Sequence, residues 1–459
     1  MHLAVIVLAA GKGTRMKSEL PKVLHRAAGR SLLGWVLAAV DPLNADETVA
    51  VIGHGADAVI EALPPMAVSV VQEPQLGTGD AVRVGLSGCS EAVDTVLILP
   101  GDMPLLEADT LEQVVATHRD EGAAATVLTV KMDDPTGYGR VERSWDQIVR
   151  IVEQRDADER QQAIDEVNTS VYAFDAVLLV DALGRLSSEN SQGEYYLTDV
   201  IEILSGGSRK IASVTTDAVE GTGVNSHVQL AGVGEVLRQR INDRLMSEGV
   251  AMLDPSRVYI DAGVLVEPGA TIYPDVYLQG DTTVGAGAVV GPSVHAVSTS
   301  IAPGATVRFS VLDGAAVGAE ATIGPFTYLR PGADLGERSK AGAFVEIKNS
   351  QVGTGSKVPH LSYIGDTTIG EASNIGAATV TVNYDGFDKH RTTIGDRVRI
   401  GSDTMLVAPV TIGDDAYTGA GSVITHDVTP GALAIERSHQ KEIPGYADRR
   451  KRRASQDGE

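Results

Sequence analysis

Two hydrophobic periods divide the chain. From residue 1 to about residue 226, continuous apolar runs alternate with segments in which apolar residues recur at helical spacing. Such runs are typical of parallel strands buried on both faces, so the alternation predicts an open α/β sheet. Ligands of such sheets bind at the carboxyl ends of the strands. The predicted buried strands are "LAVIVLAA", "ETVAVIG", "AVSVVQ" and "TVLILPGD", and predicted helical segments are "SLLGWVLAAV" and "GDAVRVGLSGC".

A connecting helix is predicted over residues 227–247, where Leu and Val recur at helical spacing between Arg and Glu. Beyond it, apolar residues recur every six positions within each block. Each hexad predicts a short strand and a turn, and three hexads predict one coil of a parallel β-helix. The alternative, a flat sandwich, would not need a strict period of six. The repeating residues are Val266, Ile272, Leu278, Val284, Val290, Ile301, Val307, Val317, Ile323, Leu329, Leu335, Ala341, Ile347, Val352, Val358, Ile369, Ile375, Ile394, Ile400, Leu406, Ile412, Thr418 and Ile424.

Two segments depart from the hexad pattern. Residues 381–393, "TVNYDGFDKHRTT", are polar and aromatic, and we expect a loop that leaves a corner of the β-helix. Such loops often form the binding face. The last residues, "DRRKRRASQDGE", predict a solvated, disordered end.

Composition and charge narrow the function classes. The chain of 459 residues has a formal net charge of −23, which argues against nucleic acid as a partner. Its single cysteine, Cys89, cannot form an internal disulfide, fits a reducing compartment and is expected to be structural. The first residues lack a charged leader, and no apolar run reaches the roughly 18 residues of a membrane span. We therefore expect a soluble cytoplasmic protein.

The Gly-rich turn after the first strand, "LAAGKGTRM", predicts a phosphate site. Gly11 and Gly13 allow backbone N–H groups to approach a phosphate, and Arg15 and Lys22 supply positive charge. The sequence matches neither a Walker A loop nor G-x-G-x-x-G. The alternative is an ordinary strand–helix turn.

Asp102 follows the predicted strand "TVLILP", where an open α/β sheet places its ligands. A carboxylate at this position suits Mg²⁺. The alternative is a helix cap, the usual role of an aspartate after a strand.

The hexad region carries cations that a scaffold does not require. Arg330 and Lys348 are 18 residues apart, one coil, so they lie on the same face and would repel unless an anion such as a sugar phosphate lies between them. The alternative is a purely structural β-helix for trimerisation or regulation.

His360 lies 12 residues after Lys348, two hexads further round, and cannot share that face within one subunit. It can approach the anion at a corner, or across a subunit boundary if the helices form a trimer. Tyr363, Asn374 and the "NYDG" loop are close to it in sequence and favour a functional role. The alternative is an isolated surface histidine.

A set of motifs carries a resemblance over nearly the whole chain. In order, they are "LAAGKGTRM", "PK", "QLGTGDAV", "GDMPLL", "GYGRVER", "IVEQRDA", "EVNTSVYAF", "YYLTDVIE" and "GVNS". Joined to a hexad β-helix, the set resembles the bacterial family that unites an N-acetylglucosamine-1-phosphate uridylyltransferase with a glucosamine-1-phosphate N-acetyltransferase. The family implies three segments: a Rossmann-like nucleotidyltransferase domain over 1–226, a linker helix over 227–247, and a left-handed β-helix acetyltransferase domain with a C-terminal tail over 248–459. It also implies a homotrimer.

The resemblance implies roles in the first domain. Arg15 and Lys22 bind phosphates, Asp102 and Asn225 hold Mg²⁺, and Gln72 reads the base edge. Pro100 departs from relatives, which commonly carry a hydrogen-bonding residue there, and a proline side chain offers no such hydrogen bond. The implied UDP-N-acetylglucosamine-binding residues are Leu8, Ala9, Ala10, Gly11, Lys22, Gln72, Gly77, Thr78, Gly101, Asp102, Gly139, Glu153, Asn168 and Asn225.

In the second domain, the resemblance implies that His360 is the general base, a task for which the imidazole group is suited because free imidazole titrates near neutral pH. The implied glucosamine-1-phosphate-binding residues are Arg330, Lys348, Tyr363 and Asn374. The implied acetyl-CoA-binding residues are Ala377, Asn383, Tyr384, Ser402, Ala420 and Arg437. The segment "IERSHQKEIPG" is implied to complete the site of a neighbouring subunit.

The expected function is therefore bifunctional. Acetyl-CoA acetylates glucosamine 1-phosphate, and UTP then converts the product into UDP-N-acetylglucosamine and pyrophosphate, in support of peptidoglycan and cell-envelope synthesis. One alternative is a monofunctional nucleotidyltransferase whose β-helix only assembles or regulates it. Another, a catalytically dead binding protein, is disfavoured because Lys22, Asp102 and His360 are all present.

Overall fold

A computed structural model describes residues 2–456. The chain divides into two compact units, Met1–Ile241 and Asn242–Glu459. The single helix His227–Ser247 contains the boundary between them.

The first unit is built around one mixed sheet. The strands of this unit are β1 Leu3–Leu8, β2 Arg26–Ala27, β3 Arg30–Ser31, β4 Glu47–Ile52, β5 Val68–Val71, β6 Thr95–Pro100, β7 Ala125–Lys131, β8 Arg140–Ser144, β9 Gln147–Val152, β10 Glu166–Asp175 and β11 Ile211–Thr216. Strands β2 and β3 form a small sheet of their own, and the other nine form the main sheet. The α-helices are α1 Leu32–Val40, α2 Ala56–Glu61, α3 Thr78–Leu86, α4 Ala108–Asp120, α5 Glu159–Gln162, α6 Ala176–Leu183, α7 Asp199–Gly206 and α8 His227–Ser247. Short 3-10 turns cover Thr14–Met16, Lys22–Leu24 and Asp41–Leu43.

The order of the main strands is β11-β7-β10-β6-β1-β4-β5. Strand β1 pairs in parallel with β4 and β6, whereas β10 runs antiparallel to β6 and β7. The hairpin β8–β9 joins through β10. Apolar clusters cover both faces of the sheet, as strands with nearly continuous apolar sequences require.

The predicted strands and helices of this unit are present, but one strand is less buried than expected. The segment "AVSVVQ" forms β5 at the edge of the sheet, and Val68 and Val71 remain 48% and 52% exposed. An edge strand has one neighbour instead of two, so its apolar residues are only partly covered.

The second unit contains three parallel sheets formed by short strands that recur along the chain. Sheet 1 contains Ala251–Met252, Thr271–Ile272, Val289–Val290, Thr306–Val307, Thr322–Ile323, Lys340–Ala343, Lys357–His360, Asn374–Ile375, Arg399–Ile400, Tyr417–Thr418 and Leu433–Ala434. Sheet 2 contains Val258–Ile260, Val276–Gln279, Val294–Val297, Ser310–Asp313, Tyr328–Leu329, Glu346–Lys348, Tyr363–Gly365, Val380–Val382, Met405–Val407 and Val423–Ile424. Sheet 3 contains Leu265–Val266, Thr283–Val284, Ser300–Ile301, Ala316–Val317, Asp334–Leu335, Gln351–Val352, Thr367–Ile369, Thr392–Ile394 and Val410–Ile412.

The hexad repeat is confirmed in this arrangement. Successive strands of one sheet pair in parallel one coil apart, as when Ile272 lies beside Val290 and Leu329 beside Ile347. The repeating apolar residues point inward and are buried, so each coil covers the apolar face of the next.

The interruption of the register forms a loop between Val382 and Thr392, most of whose residues are exposed. The predicted disordered end is instead helical over Tyr446–Gln456, and this helix, α9, is fully exposed. Residues 457–459 of that end lie outside the described residues. Among the helices of residues 2–456, none combines the length and the apolar composition of a membrane span.

Candidate functional sites

The carboxyl ends of β1 and β6 lie side by side. Leu8 pairs in register with Pro100, and the N–H of Gly101 donates a 2.9 Å hydrogen bond to the carbonyl oxygen of Leu8. The following residue, Asp102, and the loop Ala9–Gly11 therefore leave the sheet at the same edge. The expected strand-end geometry is present although proline occupies position 100, the last residue of β6.

Lys22 lies at the centre of a polar cluster at this edge. Its ammonium group contacts the carboxylate of Asp102 and lies 3.2 Å from Oδ1 of Asn225. A backbone hydrogen bond holds Asp102 and Asn225 close together, since the N–H of Val224 donates to the carbonyl oxygen of Asp102 at 3.0 Å. Gly13 permits it, because a Cβ at that position would lie 2.6 Å from Cβ of Lys22.

The donor set of Asp102 and Asn225 fits a hard cation. Their oxygens converge on one positive group, the Lys22 ammonium, so the geometry already binds a cation. One carboxylate and one amide oxygen suit Mg²⁺ when substrate phosphates supply further ligands. Within residues 2–456 no cluster of three or more His, Cys, Asp or Glu forms an all-protein metal cage.

Gln72 is 4% exposed and its orientation is fixed by two acceptors. Its amide nitrogen donates to the carbonyl oxygen of Gly77 at 3.1 Å and to the carboxylate of Asp80 at 2.9 Å. The amide oxygen is therefore the atom directed to other donors. Gln72 also lines a cavity of about 690 Å³ together with Lys12, Gly53, His54, Gly55, Val71, Glu73, Pro74 and Gln75.

The turn that holds Gly77 and Thr78 packs tightly on the segment Tyr195–Leu197. Gly77 has φ +116°, and a Cβ there would lie 2.5 Å from the carbonyl oxygen of Tyr195. Oγ1 of Thr78 accepts a 3.0 Å hydrogen bond from the N–H of Leu197. Only glycine satisfies both the conformation and the close approach.

Gly139, Glu153 and Asn168 meet beside β9 and β10. The N–H of Asn168 donates to the carbonyl oxygen of Gly139 at 2.9 Å, and a Cβ on Gly139 would lie 3.7 Å from Oε1 of Glu153. Burial raises the pKa of Glu153, and the nearby carboxylates Asp199, Asp156 and Glu194 raise it further, although Thr198 donates to it at 3.2 Å.

Arg15 and Glu153 line one cavity of about 490 Å³. The other lining residues are Thr14, Gly137, Gln154, Arg155 and Gln192. Arg155, not singled out from the sequence, contributes a second guanidinium group. Tyr138 was also missed: burial raises the pKa of its hydroxyl, and the negative charge of Asp102 raises it further.

In the second unit, Arg330 and Lys348 have the equal phase that their spacing predicts. They follow the paired residues Leu329 and Ile347 of sheet 2. Arg330 forms a 2.8 Å ion pair with Glu346.

Three further groups surround these two cations. Nζ of Lys348 lies 3.8 Å from the carboxylate of Asp366. Tyr363 interacts electrostatically with Arg330 and Lys389. The proximity of Lys348 lowers the pKa of Lys389, a residue of the inserted loop that the sequence did not single out. Three cations therefore gather where an anion is predicted.

Four predicted acetyl-CoA residues form a column at the corner after sheet 1. Hydrogen bonds connect them from one coil to the next. The N–H of Asp403 donates to the carbonyl oxygen of Ala377, and the N–H of Gly421 donates to the carbonyl oxygen of Ser402. The guanidinium group of Arg437 donates to the carbonyl oxygen of Ala420. His360 occupies the same corner one coil earlier, because the N–H of Ala378 donates to its carbonyl oxygen at 3.3 Å.

The remaining predicted residues lie apart from this column. Asn383 is buried at the start of the inserted loop, and Tyr384 pairs with Lys389 across the loop. Asn374 lies in sheet 1 between Lys357 and Arg399, so the structure separates it from the cations of sheet 2.

Comparison with known proteins decides the family. Residues 5–167 match the MobA-like NTP transferase domain, and residues 391–426 match the bacterial transferase hexapeptide model of six repeats. The chain is similar to bifunctional protein GlmU of Streptomyces avermitilis, with 51% identity over 98% of this chain and 94% of that protein. It is 48% identical to the proteins of the same name from Corynebacterium aurimucosum and Mycolicibacterium smegmatis, over 98% of this chain and 94% and 95% of theirs.

The chain belongs to the GlmU family. It is a bifunctional enzyme of UDP-N-acetylglucosamine synthesis, with uridylyltransferase and acetyltransferase functions. The GlmU-family membership confirms the expected fold, a nucleotidyltransferase unit followed by a left-handed parallel β-helix of hexapeptide repeats.

Proposed function

We propose that the second unit transfers an acetyl group from acetyl-CoA to the amine of glucosamine 1-phosphate, and that the first unit couples the product to UTP. The observation that carries the first assignment is the gathering of Arg330, Lys348 and Lys389 one corner away from His360. A β-helix that only assembled or regulated the enzyme would not need these groups. The proposed products are UDP-N-acetylglucosamine, pyrophosphate and free coenzyme A, used in cell-envelope synthesis.

Acetyl transfer needs a positioned amine and a base, since the thioester is already activated. The amine attacks the thioester carbonyl, a C–N bond forms, and the C–S bond breaks as coenzyme A leaves. His360 accepts the proton that the amine loses. Arg330, Lys348, Lys389 and Tyr363 bind the sugar phosphate, and Asn374 orients it from the neighbouring sheet.

The corner column binds acetyl-CoA in this proposal. Ala377, Ser402 and Ala420 present small surfaces in successive coils after His360, so an extended cofactor can lie along them. Asn383 and Tyr384 approach from the inserted loop, and Arg437 ends the column. The thioester is then closest to His360, where the proton is transferred.

Uridylyl transfer requires positioning and charge neutralisation, without a protein nucleophile. A phosphate oxygen of N-acetylglucosamine 1-phosphate attacks the α-phosphorus of UTP, and pyrophosphate leaves. Arg15 and Lys22 bind the phosphates, and the backbone of Leu8–Gly11 and Gly101 holds the nucleotide. Mg²⁺ held by Asp102 and Asn225 would neutralise phosphate charge.

Specificity for each half of the sugar nucleotide follows from the two clusters. The amide oxygen of Gln72 is free to accept from N3–H of uracil, because its nitrogen is engaged by Gly77 and Asp80. Gly139, Glu153 and Asn168 contact the N-acetylglucosamine moiety. Gly77 and Thr78 support the nucleoside from the adjoining turn.

A homotrimer completes the proposal, supported by an apolar column on the β-helix. Phe309, Phe326, Phe344 and Leu361 occupy the same corner in successive coils and are 42–61% exposed. All four have positive φ, which costs free energy for bulky side chains. A second copy of this chain would cover them, and "IERSHQKEIPG" would then complete a neighbouring site. The substrates are cytoplasmic metabolites, so we propose the cytoplasm as the location.

A coupled assay tests the assignment of two reactions to two sites. Purified enzyme is mixed with glucosamine 1-phosphate, acetyl-CoA, UTP and Mg²⁺, and released thiol and pyrophosphate are followed separately. We expect both products, with pyrophosphate release dependent on prior acetylation. Pyrophosphate release only from added N-acetylglucosamine 1-phosphate, without thiol, would favour the monofunctional alternative.

A further inference from the structure

One buried carboxylate joins the two proposed half-sites of the acetyltransferase. Asp366 is 5% exposed and follows the sheet 2 strand Tyr363–Gly365. Its carboxylate accepts hydrogen bonds from the side-chain nitrogens of Asn349, at 2.6 Å, and Asn383, and lies 3.8 Å from Nζ of Lys348. One carboxylate therefore contacts both Lys348, a proposed sugar-phosphate residue, and Asn383, a proposed acetyl-CoA residue.

The backbone of Asp366 strengthens this connection. Its N–H donates to the carbonyl oxygen of Lys348 at 3.1 Å, and its carbonyl oxygen accepts from the N–H of Thr392 at 3.3 Å. Asn383 and Thr392 are the two ends of the inserted loop. Asp366 therefore anchors the loop at both ends and fixes it to the coil that carries Lys348.

The charge of Asp366 has a separate effect on the anion site. Burial raises the pKa of its carboxyl group, but the hydrogen bonds from Asn349 and Asn383 and the charges of Lys348 and Lys389 outweigh burial and lower it. The ionised group partly offsets the repulsion between the two lysines. It also competes with a bound phosphate for Lys348, so it weakens rather than strengthens the binding of the sugar phosphate.

We propose that Asp366 is a positioning residue of the acetyl-transfer reaction, which holds the acetyl-CoA loop against the sugar-phosphate cations. The proposal rests on the residue roles given under the proposed function. It predicts that loss of the carboxylate affects the two substrates in opposite directions. A merely structural residue would affect both substrates alike, through loss of folded protein.

The test is Asp366→Asn in the full-length enzyme, with KM measured for both substrates. We expect the KM for acetyl-CoA to rise about tenfold, the effect of losing one hydrogen bond to a charged group, and the KM for glucosamine 1-phosphate to stay level or fall. An equal rise of both KM values, or a fall of kcat alone, would overturn the proposal.

Three controls keep the outcome interpretable. Asp415→Asn changes another aspartate with positive φ, one that pairs with Arg397 at a different corner, and should leave both KM values unchanged. If Asp366→Asn does not fold, Asn349→Gly is the second variant: it removes one hydrogen bond to Asp366, and glycine suits the positive φ of residue 349. Because the hydrogen bond between Asp366 and Asn383 remains, the KM for acetyl-CoA should rise only two- to fivefold. An unchanged KM in that variant would also overturn the proposal. Wild-type enzyme without thiol release would instead refute the proposed function.

Discussion

The carbonyl oxygen of His360 accepts a hydrogen bond from the N–H of Ala378, one coil further along the β-helix. This contact places the histidine at the start of the corner column that contains Ala377, Ser402 and Ala420. Its ring is exposed, and Tyr363 follows three residues later in sheet 2. His360 therefore lies at one end of the proposed acetyl-CoA column, and Tyr363, a proposed sugar-phosphate residue, follows it three positions later in the chain.

Replacement of His360 by alanine should lower acetyl transfer by about 10²–10⁴-fold, the usual contribution of a general base. Uridylyl transfer from N-acetylglucosamine 1-phosphate should stay near the wild-type rate, because the change lies in the other unit. Thiol release and pyrophosphate release measure the two rates. His426→Ala, an exposed histidine without a proposed role, is the matched control. Undiminished thiol release in His360→Ala would exclude His360 as the general base.

The sequence predicted the repeat closely because the period of six follows from backbone geometry. Inward-facing Ile, Val and Leu are required at one position of every strand, whatever the function. The edge position of β5 was not predictable, since a local apolar run does not reveal how many neighbours a strand has. The helix over Tyr446–Gln456 was also missed, because a run of basic residues indicates exposure but not conformation.

Some candidate residues that are far apart in the sequence lie together in the structure. Lys22, Asp102 and Asn225 were named from separate motifs, and the structure brings them together. Lys389 and Asp366 were missed for a physical reason. Lys389 belongs to a loop without a period. Asp366 contacts both ends of that loop, and these contacts form only when the loop folds back on the β-helix, which the linear sequence does not show.

Lys389→Ala should raise the KM for glucosamine 1-phosphate by about tenfold and leave the KM for acetyl-CoA within about twofold, because a charge-assisted contact to the phosphate is lost. Initial rates of thiol release at varied concentrations of each substrate give both constants. Lys357→Ala removes an exposed lysine of sheet 1 and serves as the control. A change confined to the acetyl-CoA constant would contradict the assignment of Lys389.

Asp102→Asn should lower uridylyl transfer by at least about 10²-fold, because it removes the charged ligand of the proposed cation site. Acetyl transfer should be unaffected. Chelation of divalent cations in the wild-type enzyme should give the same pattern, with pyrophosphate release lost and thiol release retained. Loss of both activities in the variant would indicate misfolding, and full uridylyl transfer would exclude Asp102 as a metal ligand.

Phe326→Asp should dissociate the proposed trimer, because a charge would have to be buried where the apolar column meets a second copy. Light scattering coupled to size exclusion should change from the mass of three chains to that of one. Acetyl transfer should fall at least about tenfold, whereas uridylyl transfer should persist. The control is Trp145→Asp, which changes an aromatic residue that is 96% exposed in the first unit. A wild-type mass of one chain would refute the trimer outright.

Asp199→Asn should stabilise the first unit at neutral pH. Burial, together with Glu202 and Asp156, raises the pKa of Asp199 to about 6 from an ordinary value of 3.8. The folded state therefore binds the proton more tightly than the unfolded state, and ionised Asp199 costs stability. This cost is absent below pH 3.8, grows as the pH rises, and is complete above about pH 6.

The variant has no charge at this position, so its gain in stability over the wild type should appear over the same pH range. We expect the melting temperature of the first unit to rise by roughly 2–4 °C at pH 7.5, the shift that about 1 kcal/mol gives in a unit of this size, and the gain to shrink towards pH 4. Calorimetry of wild type and variant at several pH values measures the difference. Asp181→Asn, an exposed aspartate on α6, should give no such pH-dependent gain. A gain that is constant with pH would mean that the charge of Asp199 is not its cause.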